Sequence, residues 1–170
     1  MISKKLAKSI NEQINAEMWS AYLYLSMSQD LYNKGFKGIA NWYRVQFQEE
    51  QAHAAIFINY LHAQGEKVIL APIAAVQTEW ASILAAFEDT LAHEQKVTAM
   101  INKLCDIASK DNDYASQNFL GWFIDEQVEE EENARDLVFQ AKMAGDNFGA
   151  LMMLNQALGA REFHTPSPLK

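Results

Sequence analysis

Four predicted helices in this chain each break their apolar seam near mid-length, and each break is a residue that can bind metal. The first seam reads Leu6, Ile10, Gln13, Glu17, Ser20, Tyr24, Met27, Leu31. The second reads Ile39, Tyr43, Gln46, Glu50, His53, Phe57, Tyr60; the third Phe87, Thr90, Glu94, Val97, Ile101, Leu104, Ala108. The fourth reads Phe119, Phe123, Gln127, Glu130, Ala134, Leu137, Ala141. Steps of four and three alternate, the spacing of a bundle core. The breaks are Glu17, the pair Glu50 and His53, Glu94, and the pair Gln127 and Glu130. Each lies near the midpoint of its segment, so a bundle brings them to one depth. A carboxylate in a packed core is costly unless its charge is compensated. Several converging carboxylates and one imidazole are best compensated by hard or borderline cations, as in a dinuclear site inside a helical bundle.

The segments have clear ends. The first helix is predicted over about 3–32, stopped by Asn33-Lys34-Gly35, and the second over about 38–64, followed by Gly65. Residues 65–81 carry no helical stripe and contain Pro72. A stretch of that length can run the length of a bundle, leaving the second and third helices parallel. The third helix is predicted over about 82–109 and the fourth to about 143, with Asp113 as its N-cap. A short fifth helix is expected over 147–158. The domain is therefore read as 1–158, and 159–170 as a flexible C-terminal tail. The fold class is all-α: a four-helix bundle with one long crossover and a short fifth C-terminal helix.

Composition narrows the function classes. The chain has 170 residues, 49% of them hydrophobic, enough for one domain with a real core. A single cysteine, Cys105, excludes an internal disulfide framework and a Cys-based zinc site. No apolar run reaches the roughly 20 residues that span a membrane, and the N-terminus lacks a signal-peptide stretch. A cytoplasmic protein with no membrane partner is expected. The net charge of -8 disfavours nonspecific nucleic-acid binding.

Glu50 and His53 form Glu-x-x-His, and at i and i+3 they share a helix face and can grip one ion together. Alone, the pair is common on helix surfaces; its place between Tyr43 and Phe57 in a seam gives it meaning. Glu17 and Glu94 read singly as ligands or as surface acids of a misjudged seam. Glu129 to Glu132 are consecutive and span a full helical turn, so at least one points inward. The seam selects Glu130, with Gln127 one turn before it. Glu126 and Glu129 flank that face, as Glu49 flanks Glu50, and these three would form a further, more exposed acidic cluster. Tyr24, two turns from Glu17, could hydrogen-bond a ligand, give up an electron, or fill core space. His93 neighbours Glu94 but faces another direction. An oxygen-rich site with one imidazole suits iron, manganese or adventitious zinc. Two ions roughly 3.5 to 4 Å apart could each give an electron to one O2.

The motifs NEQINAEMWSAYLY around Glu17, QEEQAHA around Glu50 and His53, AHEQ around Glu94 and NFLGWFIDEQVEEEE around Gln127 and Glu130 together resemble the bacterial non-haem ferritins. The likeness covers nearly the whole chain. Departures sort the relatives. Bacterioferritins repeat Glu-x-x-His in the fourth helix, where this chain has Gln127-x-x-Glu130. They also place a haem-binding Met where this chain has Gln51, so no haem is expected. Rubrerythrins add a Cys-rich iron domain that one cysteine excludes. Dps proteins place their site between subunits, with differently distributed ligands.

The resemblance implies that Glu17, Glu50 and His53 hold one iron. Glu50 would bridge to a second iron held by Glu94 and Glu130, with Gln127 beside that iron or its oxygen ligand. Glu49, Glu126 and Glu129, sharing Glu130, would make a third iron position. It further implies a cage of twenty-four subunits, with the fifth helix lining fourfold contacts. Animal ferritins have acidic threefold channels near the start of the fourth helix; Gln117 and Leu120 stand thereabouts here, so a strongly acidic channel is not implied. The expected function is oxidation of Fe(II) by O2 or peroxide at a buried di-iron site and storage of Fe(III) mineral in a homo-oligomeric cage. The alternatives are a di-metal oxidase or peroxide-scavenging bundle without storage, and a purely structural bundle.

Overall fold

In the computed structural model, which describes residues 2–170, all regular structure among the described residues is helical. The chain forms α1 (Lys4–Asn33), α2 (Lys37–Ala63), α3 (Ile83–Lys110), α4 (Tyr114–Ala144) and α5 (Phe148–Leu158), then a single 3-10 turn at Ser167–Leu169. Polar residues just outside the helices set where they begin. Ser3 accepts from the Leu6 amide at 3.1 Å, Ser82 from Ala85 at 3.0 Å and Asp113 from Ser116 at 3.0 Å. Asn147 does the same for Ala150 at 3.0 Å. Each occupies a backbone N–H that would otherwise lack a helical partner. That is why three predicted starts fall one residue early: the capping residue lies outside the helix it opens. Gly65, at φ +71°, takes the left-handed backbone that ends α2, and Glu66 N donates back to Leu61 O at 2.9 Å.

The crossover is fixed by a line of donors along α1. Asn11 donates to Lys67 O at 3.1 Å and accepts from Ile69 N at 2.6 Å. Asn15 donates to Ala71 O and Pro72 O, each at 3.2 Å. Trp19 reaches Ala75 O at 3.3 Å and Ser26 reaches Gln77 O at 2.7 Å. At the far end Asp30 accepts from Trp80 N at 3.1 Å, and Lys34 donates both to Asp30 and to Trp80 O. The steps from 11 to 15 to 19 follow one helix face. Backbone groups of an otherwise irregular segment thereby find partners at intervals along its length. The segment runs from the start of α1 to its end, which makes α2 and α3 parallel. No helix among the described residues is long and apolar enough to cross a membrane.

The core comes in two pieces. One holds Tyr24, Met27, Leu31, Ile39, Tyr43, Phe87, Leu137 and Ala141. The other holds Leu6, Ile10, Ile14, Phe57, Leu61, Val97, Ile101, Leu104, Leu120 and Phe123. Every predicted seam residue of α1 and α3 is buried. Two seam assignments need correction. Tyr60 and Phe119 are only half-buried, and the seams pass instead through Leu61 and Leu120. The two displaced rings stack on each other at the bundle edge, centroids 3.8 Å apart and planes 7° from parallel. The Tyr60 hydroxyl lies 2.7 Å from the Oγ of the buried Ser116, which gives its polar end a partner.

The last twelve residues, expected as a flexible end, have a defined path back across α2. Asn41 Nδ2 donates to Gly159 O at 3.3 Å and to Arg161 O at 3.0 Å, and Leu169 packs against the second core cluster. α5 is docked on α2 by one residue. Phe36, at the N-cap of α2, offers no side-chain cap; Asn155 of α5 supplies it, accepting from Gly38 N at 2.8 Å and Ile39 N at 3.0 Å. The backbones approach so closely that a Cβ on Gly38 would collide with the carbonyl of Asn155. Gly38→Ala should therefore force the helices apart and destabilise the protein by about 1–3 kcal/mol. Calorimetry should show a lowered Tm, and limited proteolysis should show faster cleavage between α4 and α5. An unchanged Tm would mean that α5 docks by other contacts.

Candidate metal centre

A polar layer separates the two halves of the core. Glu17 comes from α1, Gln46, Glu50 and His53 from α2, Glu94 from α3, and Gln127 and Glu130 from α4. All are buried, and none is more than 5% exposed. The heptad steps that carry Ile10 and Tyr24 inward carry Glu17 inward as well, and the same holds on the other three helices.

The layer has a tight half and a tied half. One ligand atom each of Glu17, Glu50 and His53 lies within 4.8 Å of the other two. Three atoms here are buried without a hydrogen-bond partner: Glu17 Oε2, Glu50 Oε2 and His53 Nε2. Their partner atoms are satisfied or close to neighbours. Gln13 Nε2 donates to Glu17 Oε1 at 2.8 Å, and His53 Nδ1 lies 3.5 Å from Glu50 Oε2. Buried polar atoms are nearly always paired, so a cluster of unpaired ones needs a reason. A cation held by two carboxylates and an imidazole is such a reason, and the donor set is that of a borderline divalent metal.

Glu94 and Glu130 are instead held by donors. The Tyr24 hydroxyl donates to Glu94, and Gln127 Nε2 donates to Glu94 Oε2 at 3.2 Å. Gln127 also reaches Thr98 Oγ1 at 3.3 Å, and Thr98 donates to Glu131 Oε1 at 2.7 Å. Glu130 accepts from Gln46 Nε2 at 3.0 Å. Glu94 feels the charges of Glu130 and Glu17, and Glu130 those of Glu49 and His53.

The electrostatics follow from this crowding. Burial pushes the Glu50 carboxyl up to about 7, against the pull of His53. Burial and the neighbouring charge of Glu130 raise Glu94 to about 8, Tyr24 and Gln127 opposing. Burial and Glu49 raise Glu130 to about 7. Burial and Glu50 hold Glu17 well above the carboxylate range. For His53, burial favours the neutral ring, but Glu126, Glu50 and Glu17 outweigh it and hold the imidazole protonated well above its usual range. These are carboxyls that keep protons near neutral pH for want of a counter-charge.

Of the flanking acids, Glu49 and Glu126 are half-buried and Glu129 is exposed, and among the described residues only Glu17, Glu50 and His53 form a group of three whose ligand atoms all lie within 4.8 Å of one another. Glu126 Oε1 is 3.7 Å from His53 Nε2. Glu49 feels the charges of both Glu126 and Glu129, and it also carries an ion pair with Arg161 from the tail. His93 turns away from the layer. Its Nε2 pairs with Ser20 Oγ at 2.7 Å, its ring lies 5.3 Å from Trp19, and burial lowers it to about 4. Tyr24 joins the layer through its hydroxyl, so core filling is only part of its role. Trp122 packs its ring edge-on against His53, 5.6 Å away.

The roles of Gln13, Gln46, Thr98 and Arg161 are not evident in the sequence. For the two glutamines there was a signal: each stands in a seam, one turn before Glu17 or Glu50. For Arg161 there was none.

The family profile of the ferritin-like domain matches residues 7–144. The chain is similar to a bacterial non-heme ferritin of Bacteroides fragilis, 43% identical over 161 residues that span 95% of this chain and 100% of the relative. A bacterial non-heme ferritin of Staphylococcus saprophyticus is 39% identical over 163 residues, 96% of this chain and 98% of the relative. Among solved structures, the open-pore ferritin of the archaeon Archaeoglobus fulgidus superposes with a TM-score of 0.94 at 42% identity, covering 95% of this chain and all of that one. An engineered closed form of the same ferritin gives 0.95 at 43% identity, over 96% of this chain and all of that one. With a buried carboxylate–imidazole layer at the middle of four long helices and likeness over nearly its whole length, the chain belongs to the ferritin family.

Proposed function

We propose that the ferroxidase and iron-storage activity of this family is carried in this chain by the polar layer between the two core halves. The observation that carries the assignment is the group of unpartnered atoms on Glu17, Glu50 and His53 in a core otherwise well satisfied. Fe(II) is the substrate. Glu17, Glu50 and His53 receive one ion; Glu50 is shared with a second, which Glu94 and Glu130 receive. Gln127 stays beside the second ion through its amide. Two Fe(II) give one electron each, and O2 accepts both with two protons to leave as hydrogen peroxide; peroxide as oxidant accepts the same two electrons and two protons to give two waters. Cation binding displaces protons from carboxyls that now hold them, and those protons are at hand when the oxidant is reduced. Tyr24, hydrogen-bonded to Glu94, fixes that carboxyl's orientation.

The Fe(III) product moves on to mineral inside a homo-oligomeric cage, which we take to hold twenty-four subunits as the family's cages do. The exposed apolar side chains of α5, Phe148 and Met153 at 70% and 75% exposure, suit a contact with further copies. Haem has no part in this reading, because Gln51 offers no thioether.

Glu50→Ala removes the group shared by both ions. Stopped-flow oxidation of Fe(II) should slow by more than the about 10- to 100-fold that loss of a supporting residue costs. Oxidation at the parent rate would overturn the assignment of Glu50. Aerobic loading followed by size exclusion separates storage from simple oxidation: storage retains many irons per subunit, whereas a di-metal oxidase retains about two.

The raised carboxyls also give a pH signature. Between the unfolded carboxylate range and the folded values of about 7 for Glu50 and Glu130 and about 8 for Glu94, the folded protein binds more protons than the unfolded chain. Stability then falls as pH rises through that window, and His53, raised when folded, adds to the fall. The Tm of metal-free protein should therefore drop from pH 5 to pH 8, and Zn(II), a redox-inert mimic, should flatten the drop. Glu94→Gln should raise the metal-free Tm at pH 8 and weaken the Zn(II) effect. Identical Zn(II) shifts in parent and Glu94→Gln would remove Glu94 from the site.

A further inference from the structure

The tail delivers one cation to the edge of the polar layer. Arg161 Nη2 donates to Glu49 Oε2 at 2.6 Å, and Nη1 donates to Gln46 Oε1. The guanidinium lies over the Trp42 ring, 4.7 Å from its centroid. The paired side chains are only 22% and 18% exposed, so the ion pair is largely withdrawn from water. Three different contacts fix the planar group, in a manner an ammonium could not copy. Gln46 turns its other end to Glu130, at 3.0 Å. One line of contacts thus runs from the tail through Gln46 to a residue of the polar layer.

Glu49 shares its surroundings with Glu126 and Glu129. A second observation points into the same space: His53 Nε2, buried and without a hydrogen-bond partner, faces Glu126 Oε1 at 3.7 Å. Alongside lies an open groove of about 630 Å³, lined by Glu49, Glu129, Arg161, Glu162 and His164 among others.

We propose that Arg161 is a tethered cation that stands in for a third metal ion among Glu49, Glu126 and Glu129, so that this position fills only when the guanidinium is displaced from Glu49. The proposal rests on the reading of the polar layer as the dinuclear iron site and on the third position that the resemblance to bacterial ferritins implies; what is new is the competition by Arg161. A guanidinium spreads one charge over a plane and satisfies one carboxylate here, while a divalent ion concentrates two charges and draws on all three. The ion therefore competes with Arg161 for Glu49. Because the competitor is attached to the chain, dilution does not weaken it; a short tether holds it at about millimolar effective concentration. Displacement leaves the backbone in place, since Asn41 holds the Arg161 carbonyl, and the groove gives the side chain room to swing. The consequence is an order of filling: the dinuclear pair at low metal, the third position only at high metal.

Titration calorimetry of Zn(II) into the metal-free, full-length protein tests this. The parent should take up two ions per subunit tightly and a third weakly. Arg161→Ala should tighten the third by about tenfold or more, the scale of one charge-assisted contact. Arg161→Gln, which keeps reach and loses charge, should do the same if Arg161→Ala folds poorly. Adding Glu129→Gln to either should abolish the gain, showing that the extra ion sits in this cluster. Equal third-ion affinity in parent and both Arg161 variants would overturn the proposal, even if their Tm falls; so would a gain that survives Glu129→Gln. Failure of the parent to bind the first pair would overturn the dinuclear reading, and the proposal with it.

Discussion

Four glutamates buried at one depth repel each other, and the rest of the molecule is arranged around that repulsion. Isolated carboxylates cannot remain charged in a dry core without a partner, so they hold protons or find counter-charges. Here they do some of each. Glu50, Glu94 and Glu130 are pushed up to about 7 or 8, while His53 is held as a cation among them. The layer destabilises the bundle at its middle, and the two apolar clusters on either side must outweigh it. That explains the length of the helices. At about 1.5 Å per residue, α1 through α4, at 27 to 31 residues, have room for a full core on each side of a polar floor.

The crossover serves the same geometry. Parallel α2 and α3 place Glu50 and Glu94 at one level only if residues 64–82 span the bundle without taking a helix's width. An extended irregular segment does this, provided its backbone groups find partners. Asn11, Asn15, Trp19 and Ser26 provide them from α1, the helix that carries Glu17 on its opposite, inward face. One helix thus orders the connection outside and contributes Glu17 to the polar layer inside.

Much of this was legible in the residues, because burial repeats with the period of the helix. The seams gave away Glu17, Glu50, His53, Glu94, Gln127 and Glu130, since a charged residue in a heptad position is conspicuous. The errors came where a half-buried aromatic mimics a seam residue: Tyr60 and Phe119 carry enough apolar surface to keep the period and enough exposure to leave it. Contacts between distant parts of the chain were not legible. Nothing local says that Gln46 bonds Glu130 across the bundle, that Asn155 caps α2, or that Arg161 returns to Glu49, because each depends on how loops and tail fold back. The stripe of Asn11, Asn15 and Trp19 lay in plain sight, but its meaning required knowing where the crossover runs.

The two halves of the polar layer are not equivalent, and under the proposed function that would order the arrival of cations. Glu17, Glu50 and His53 converge with unpaired atoms, so a first cation loses few protein hydrogen bonds on arrival, though it must displace protons. Glu94 and Glu130 are engaged by Tyr24, Gln127 and Gln46, so a second cation must break or bend those bonds. The donors that make the second half costly to fill are amides and a phenol, groups that can turn from a carboxylate to a water or an oxidant once a metal takes the carboxylate over. Gln46 has a further tie, to Arg161, so the second half of the layer is also the half connected to the tail. The site is thereby graded from a preorganised pair of carboxylates and an imidazole, through a hydrogen-bonded pair, to an acidic rim already holding a cation of the chain's own.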